Sequence, residues 1–195
     1  MKKTLLIVAI ASLFVVSALS AQMRDFSGKS WVSGNLGYAV GTGDAFASYS
    51  EPITNVEFST GAGLGFGGQF YYGLKKNFLI GGEVMMQRYT VDISAPANLA
   101  LNFPGIDMSE STTETNVIVN GLYGVKQTRK SDIFLMGGPG MYDFGGFEFG
   151  LNTGLFWRHQ VSESVHLFGM PRMHVVFTDA TPMMFQFTMG AQLSL

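Results

Sequence analysis

The chain has 195 residues, of which 13% are charged and 47% hydrophobic, with a formal net charge of −2 and no cysteine. A charged fraction about half the ~25% usual in soluble domains argues against an ordinary water-soluble protein. The absence of cysteine excludes a disulfide framework and thiolate chemistry, and the slightly acidic balance offers nothing to nucleic acid.

The first segment reads MKKTLLIVAIASLFVVSALSAQ: two lysines, an apolar run from Thr4 to Val16, then small residues. This is the pattern of a secretory signal peptide, cleaved after Ala21, or after Ser20 with Ala18 at −3. Its apolar core falls short of the ~20 residues of a spanning helix, and no later run approaches 18. The expected organisation is a signal peptide over 1–21 and one domain over 22–195. An exported chain with few charges and no spanning helix points to the other structure that satisfies its backbone in lipid, a closed β-barrel in an outer membrane.

Period-two alternation then predicts strands in order. Trp31–Val40 puts Val32, Leu36, Tyr38 and Val40 on one face and Ser33, Asn35, Gly37 and Ala39 on the other. In EFSTGAGLGFGGQFYYG, Phe58, Leu64, Phe66, Phe70 and Tyr72 alternate with Ser59, Gly61, Gly63, Gly65, Gly67 and Gln69. Phe78–Val91 sets Phe78, Ile80, Val84 and Met86 against Glu83 and Gln87; Thr115–Lys126 sets Val117, Val119, Tyr123 and Val125 against Asn116, Asn120 and Lys126. A fifth strand spans Ile133–Phe144, its facing left open by a Gly-Gly-Pro-Gly centre where Pro139 predicts a bulge. The sixth sets Phe147, Phe149, Leu151, Leu155 and Trp157 against Glu148, Asn152 and Arg158; the seventh sets Val165, Leu167, Met173, Val175 and Phe177 against His166, Arg172 and His174. The last, FQFTMGAQLSL, alternates without a charge to its final residue. The predicted fold is all-β, an eight-stranded antiparallel up-and-down transmembrane barrel.

A lipocalin-like soluble barrel is the structural rival. Against it, the polar face of the second strand is mostly glycine, poor cover against water, and the lysines lie in or beside turns. The apolar face is therefore read as lipid-facing, with aromatic rims at Tyr72, Phe78, Tyr123 and Trp157 and at Tyr38, Phe58, Phe147, Phe177 and Phe185. Inside, Glu83, Gln87, Glu148, Arg158, Arg172 and His174 form the predicted polar network. Glu83 and Arg172 fall near mid-height, either as an ion pair or each satisfied by amides or water. Eight strands leave an interior little wider than their side chains, so a general porin is not expected, although the glycines of the second strand leave room for water or a narrow leak.

Short turns near 73–77, 127–132 and 160–164 alternate with long loops over 41–57 and 91–114. The long ones are acidic, which predicts turns in the periplasm and loops outside. No cofactor, metal or catalytic site is read from the chain. His166 and His174 share a face but lie about 26 Å apart along a strand, too far to share a metal, and the glycine runs precede no phosphate-binding helix.

In FEFGLNTGLFWRHQVSESVHLFGMPRMHVVF, a glycine-rich strand, a polar turn and an Arg-bearing strand follow one another, and the chain closes on an alternating strand. In this it resembles the outer-membrane β-barrel domain family, the small eight-stranded barrels of OmpX and OmpA-transmembrane type. The resemblance implies that Phe185, Phe187, Met189, Leu193 and Leu195 form a signal for the barrel-assembly machinery, although Leu195 stands where an aromatic is usual. The resemblance implies no single activity, because members serve as adhesins or envelope-stability proteins. The expectation for this chain is a non-enzymatic outer-membrane protein among lipids and lipopolysaccharide, with an adhesin-like or envelope-integrity role and an extracellular partner at loops 41–57 and 91–114. The alternatives are a lipid A-modifying enzyme or a narrow channel. The deacylase pattern of His followed two residues on by Ser is absent at His174, where Val175-Val176 follows.

Overall fold

The computed structural model describes residues 24–42, 49–50, 57–60, 62–95, 105–143, 146–178 and 183–195. The expected signal peptide lies outside them. Ten strands form one antiparallel sheet: β1 (Ser30–Thr42), β2 (Tyr49–Ser50), β3 (Glu57–Thr60), β4 (Gly63–Lys75), β5 (Phe78–Ala95), β6 (Ile106–Gln127), β7 (Ser131–Asp143), β8 (Phe147–Gln160), β9 (Val165–Val176) and β10 (Met183–Ser194). Eight of them close a ring, in the order β5-β4-β1-β10-β9-β8-β7-β6 and back to β5. The short β2 and β3 sit outside the ring, carried on the outer part of β5.

The ring is staggered. Following paired residues once around leads from Ser30 through Tyr72, Ile80, Gly121, Gly137, Thr153, Met173 and Phe185 to Val40, ten residues along β1 from the start. A ten-residue stagger over eight strands tilts the strands by about 40°. The 12 residues of β10 then rise roughly 30 Å along the axis, the thickness of a hydrocarbon core.

Alternation decides what lies on each side of this wall. Leu36, Phe66, Trp157, Phe187 and Met189 point outward and are about half or more exposed; Asn35, Gln69, Glu83, Asn120, Arg158 and Arg172 point inward and are buried. A water-soluble barrel would show the reverse, so the outer belt is the lipid face. Of the predicted rims, Tyr38, Tyr72, Phe147, Trp157, Phe177 and Phe185 stand on it exposed, with Phe149 and Phe177 stacked.

Prolines and bulges fall differently from the sequence expectation. At Pro139 the β6–β7 ladder skips two residues, between Ile118↔Gly140 and Gly121↔Gly137, but the register does not shift. The missing N–H removes a hydrogen bond without adding a residue. The strand thus keeps one facing, with Phe134, Met136 and Tyr142 inside and Leu135, Pro139 and Met141 outside. The register shifts lie beside the turns, at Gly73/Lys75 and Gly124/Lys126. The second of these turns Lys126 out of the phase of Asn116 and Asn120, so it is exposed and not interior.

The segment read as a loop over 91–114 is mostly strand: β5 and β6 remain paired from Val91↔Glu110 to Ala95↔Ile106. The chain's end does not fray, since the Leu195 N–H donates to the Ser30 carbonyl at 2.9 Å. Met189→Arg should destabilise the folded barrel by about 2–4 kcal/mol, the cost of an arginine near the lipid midplane. Met189→Leu should be near neutral. Urea titration of folding into lipid vesicles, followed by the heat-modifiable gel shift, measures both.

Candidate functional site

The interior is filled in layers along the axis. The end carrying the 76–77, 128–130 and 161–164 turns is aromatic: Phe26, Trp31, Tyr71, Phe134, Phe156 and Phe168 form one buried cluster with Leu79, Leu122, Met136 and Met170. Arg158 is buried within it. Its Nε donates to Asp132 Oδ2 at 2.8 Å and its Nη1 to Gln192 Oε1 at 3.3 Å. The guanidinium carbon lies 4.7, 4.8 and 5.2 Å from the ring centres of Phe26, Trp31 and Phe134. The rings' negative faces stabilise the cation and the carboxylate neutralises it.

At mid-height the chemistry becomes ionic. Arg172 grips Glu83 with both terminal nitrogens, Nη1 to Oε2 and Nη2 to Oε1, the latter at 2.7 Å. Its Nε donates to Gln186 Oε1 at 2.5 Å. The same oxygen lies 3.0 Å from His174 Nε2, and the other ring nitrogen lies 2.7 Å from the Tyr142 hydroxyl. An oxygen on one side and a hydroxyl on the other select the Nε2–H tautomer, with Tyr142 donating to Nδ1. Toward the loop end, Gln87 Oε1 accepts from Asn116 Nδ2 at 3.0 Å, and Tyr89, Tyr142, Val176 and Met184 pack with Ala39 and Ile118.

The inward glycines make this filling possible. A Cβ at Gly63 would strike the Tyr89 ring, one at Gly140 or Gly150 the Tyr142 ring, and one at Gly190 the Phe168 ring. Tyr89 thus lies over β4, Tyr142 over β8 and Phe168 over β10, each where the neighbouring strand has given up a side chain. The room expected beside the glycines of β4 is taken by Tyr89, Gln87 and Met85. Among the described residues these side chains fill the space beside β4.

The predicted residues fall as follows. Glu83, Arg172 and His174 lie in one hydrogen-bonded group, Gln87 in the layer above, and Arg158 in the aromatic layer below. Glu148 is not with them: it stands half-exposed near the loop end of β8, and the neighbours of His174 are Tyr142 and Gln186. Phe185, Phe187, Met189, Leu193 and Leu195 all face outward along β10. The aromatic layer and Asp132 escaped the sequence reading. In the structure Phe156 shares the inward phase of Asn152 and Arg158 on β8, Phe168 that of Arg172 on β9, and Phe134 that of Asp132 on β7.

Beyond the barrel mouth, β5 and β6 continue as a hairpin. β7 stops pairing with β6 at Asn116↔Tyr142, whereas β5 follows β6 out to Ile106. β3 lies on the other edge of β5, from Thr60↔Val91 to Glu57↔Ser94. Among the described residues nothing pairs with the outer edge of β6 from 106 to 115, and Asp107–Thr113 are exposed.

Eight staves, a ten-residue stagger, a filled interior and an apolar belt define the fold. It is that of the small outer-membrane β-barrels. No family model matches the sequence, and no curated protein matches it. Among solved structures, the outer membrane protein OprG of Pseudomonas aeruginosa superposes with a TM-score of 0.55 at 8% identity, over 88% of this chain and 98% of its own. Ail, the attachment invasion locus protein of Yersinia pestis, gives 0.51 at 11% identity over 87% and 99%. A designed transmembrane β-barrel gives 0.50 at 10% identity over 89% and 100%. At such identities the likeness is one of fold.

Removing one partner of the mid-height pair strands a buried charge, so Glu83→Gln should cost about 3–5 kcal/mol, while Glu83→Gln with Arg172→Met should recover much of it. Urea unfolding in detergent, read by the fluorescence of Trp31 and Trp157, gives the double-mutant cycle.

Proposed function

We propose that the protein is an integral outer-membrane barrel that acts through its loop end in an adhesin-like or envelope-supporting role, not by transport or catalysis. The observation that carries this reading is the β5–β6 hairpin. A strand edge left unpaired beyond the membrane presents a row of N–H and C=O groups to which an extended peptide can add. The filled interior speaks against a pore, and both ring nitrogens of His174 are engaged, by Tyr142 and Gln186.

In this reading the short turns face the periplasm. The apolar belt packs with membrane lipid and lipopolysaccharide, and the outward residues of β10 serve the barrel-assembly machinery. Ail carries attachment in its name, and one of its structures holds the heparin analogue sucrose octasulfate. Charge here favours a different partner. From Tyr89 to Thr115 the chain has Asp92, Asp107, Glu110 and Glu114 and no lysine or arginine, so the extension suits a basic partner or cation-bridged lipopolysaccharide better than a sulfated sugar.

Replacing residues 92–109 by Asn-Gly joins Val91 to its partner Glu110 in a tight turn. The trimmed barrel should keep its heat-modifiable shift, while bacteria expressing it lose adhesion to epithelial monolayers or matrix-coated plates. Unchanged adhesion would remove the hairpin from the account. Altered lipid A acyl chains on expression would favour an enzyme, and steady conductance in planar bilayers a channel.

A further inference from the structure

The residues just before β1 do not lie along the outside of the barrel. Gly28, with φ of +73°, turns the chain back across the turn-end mouth. On one side the segment is tied to the β4–β5 turn: the Phe26 N–H donates to the Lys76 carbonyl at 3.2 Å, and Gly28 and Lys29 exchange bonds of 2.9 Å with Gly73. On the other side Arg24 reaches the β6–β7 turn, donating to the carbonyls of Thr128, at 3.0 Å, and Arg129; its backbone N–H meets Gln127. Between these moorings the Phe26 ring enters the barrel, 2% exposed, against Trp31, Phe134 and the Arg158 guanidinium.

What lies above that ring is polar. The Asn35 amide, the Gln69 Nε2 and the Thr188 hydroxyl are all buried, and none has a hydrogen-bond partner among the described residues; the buried Asn120 amide beside them meets the Tyr71 hydroxyl. The ring stagger puts these four at or just below the height of the Glu83–Arg172 pair and above the aromatic layer. Buried amides in such a place need water to satisfy them.

We propose that residues 24–29 are a strap whose Phe26 stoppers the barrel, sealing a small hydrated chamber at Asn35, Gln69, Asn120 and Thr188 from the turn-side solvent. The two halves of the device have different chemistry. The chamber holds water because its walls are amides, and the strap keeps that water from exchanging because its plug is an aromatic ring held by cation–π contact. A design detail supports a dedicated mooring: the Cβ that any other residue would bring to Gly73 would collide with the Phe26 backbone.

Hydroxyl-radical footprinting by X-ray pulses, at increasing times after mixing into H₂¹⁸O, tests this on the folded protein in detergent. Tyr71, fully buried on β4 two residues from Gln69, reports the chamber; Met108, exposed on β6 beyond the barrel mouth, reports bulk solvent; Phe156, fully buried, reports the dry layer. In the unaltered protein Tyr71 should be modified while Phe156 is protected, and its ¹⁸O uptake should lag Met108 by at least about tenfold, as expected where exchange needs local opening. Phe26→Ala should remove that lag. Gly73→Val, which displaces the strap with the ring intact, should do the same. A Tyr71 as protected as Phe156 would mean no chamber water, and a Tyr71 exchanging as fast as Met108 in the unaltered protein would mean no seal. Folded variants with an unchanged lag would show that the strap is not what closes it. The comparison within the unaltered protein decides the matter even if a variant fails to fold.

Discussion

Closure of β1 onto β10 is the constraint from which the rest follows. Twelve residues of β1, from Trp31 to Thr42, pair with β10. With that seam made, every stave of the ring has a neighbour on both sides, and outside the short gaps opposite Pro139 and Pro171 the ladders pair the backbone that crosses the lipid. The seam also fixes the size of the interior. Eight strands with a ten-residue stagger make a cylinder whose inner face has room for side chains and little else. Each inward residue is therefore chosen against the space its neighbours leave.

That competition explains the pairing of glycines with large residues across strands. It also explains two different treatments of buried arginine. Arg172 lies where the wall is lined with amides, and a bidentate carboxylate with Gln186 takes three of its five donors, while Met85 Sδ takes a fourth. Arg158 lies where bulk is needed, so one carboxylate supplies the charge and three rings supply the rest. The desolvation of either cation in isolation would exceed what a single hydrogen bond returns. Both therefore come with a carboxylate from across the barrel or from the next strand, Glu83 on β5 and Asp132 on β7.

The facing of the wall was legible in the sequence because lipid demands unbroken alternation, and Leu36, Phe66 and Met189 obey it. So was the meeting of Glu83 with Arg172, since each is a lone charge in the inward phase at similar height. The aromatic layer was not, because a phenylalanine in the inward phase reads like any other apolar residue until neighbouring strands are in register. Glu148 was misplaced for the opposite reason: its phase is inward, but it lies so near the loop end of β8 that solvent satisfies it. Two further features lay beyond pattern reading. The continuation of β5 and β6 past the mouth is written in polar residues such as SESTTE, which look like a loop by composition. The strap depends on a single glycine at φ +73° and on carbonyls 45 to 105 residues away in sequence.

The two ends of the barrel solve the same problem in opposite ways. At the turn end the mouth is crossed by the strap, whose backbone bonds to Gly73 and Lys76 extend the β1–β4 ladder and leave little edge exposed. At the loop end β6 runs on beyond β7 with its outer edge unpaired among the described residues, and soluble-side edges of that kind invite association. Acidic side chains at Asp107 and Glu110, with serines and threonines between, keep such an edge from pairing with copies of itself, because like charges would face each other. They do not keep it from a strand of opposite charge. In the function proposed above, an edge that repels its own kind and remains open to another is a selective surface.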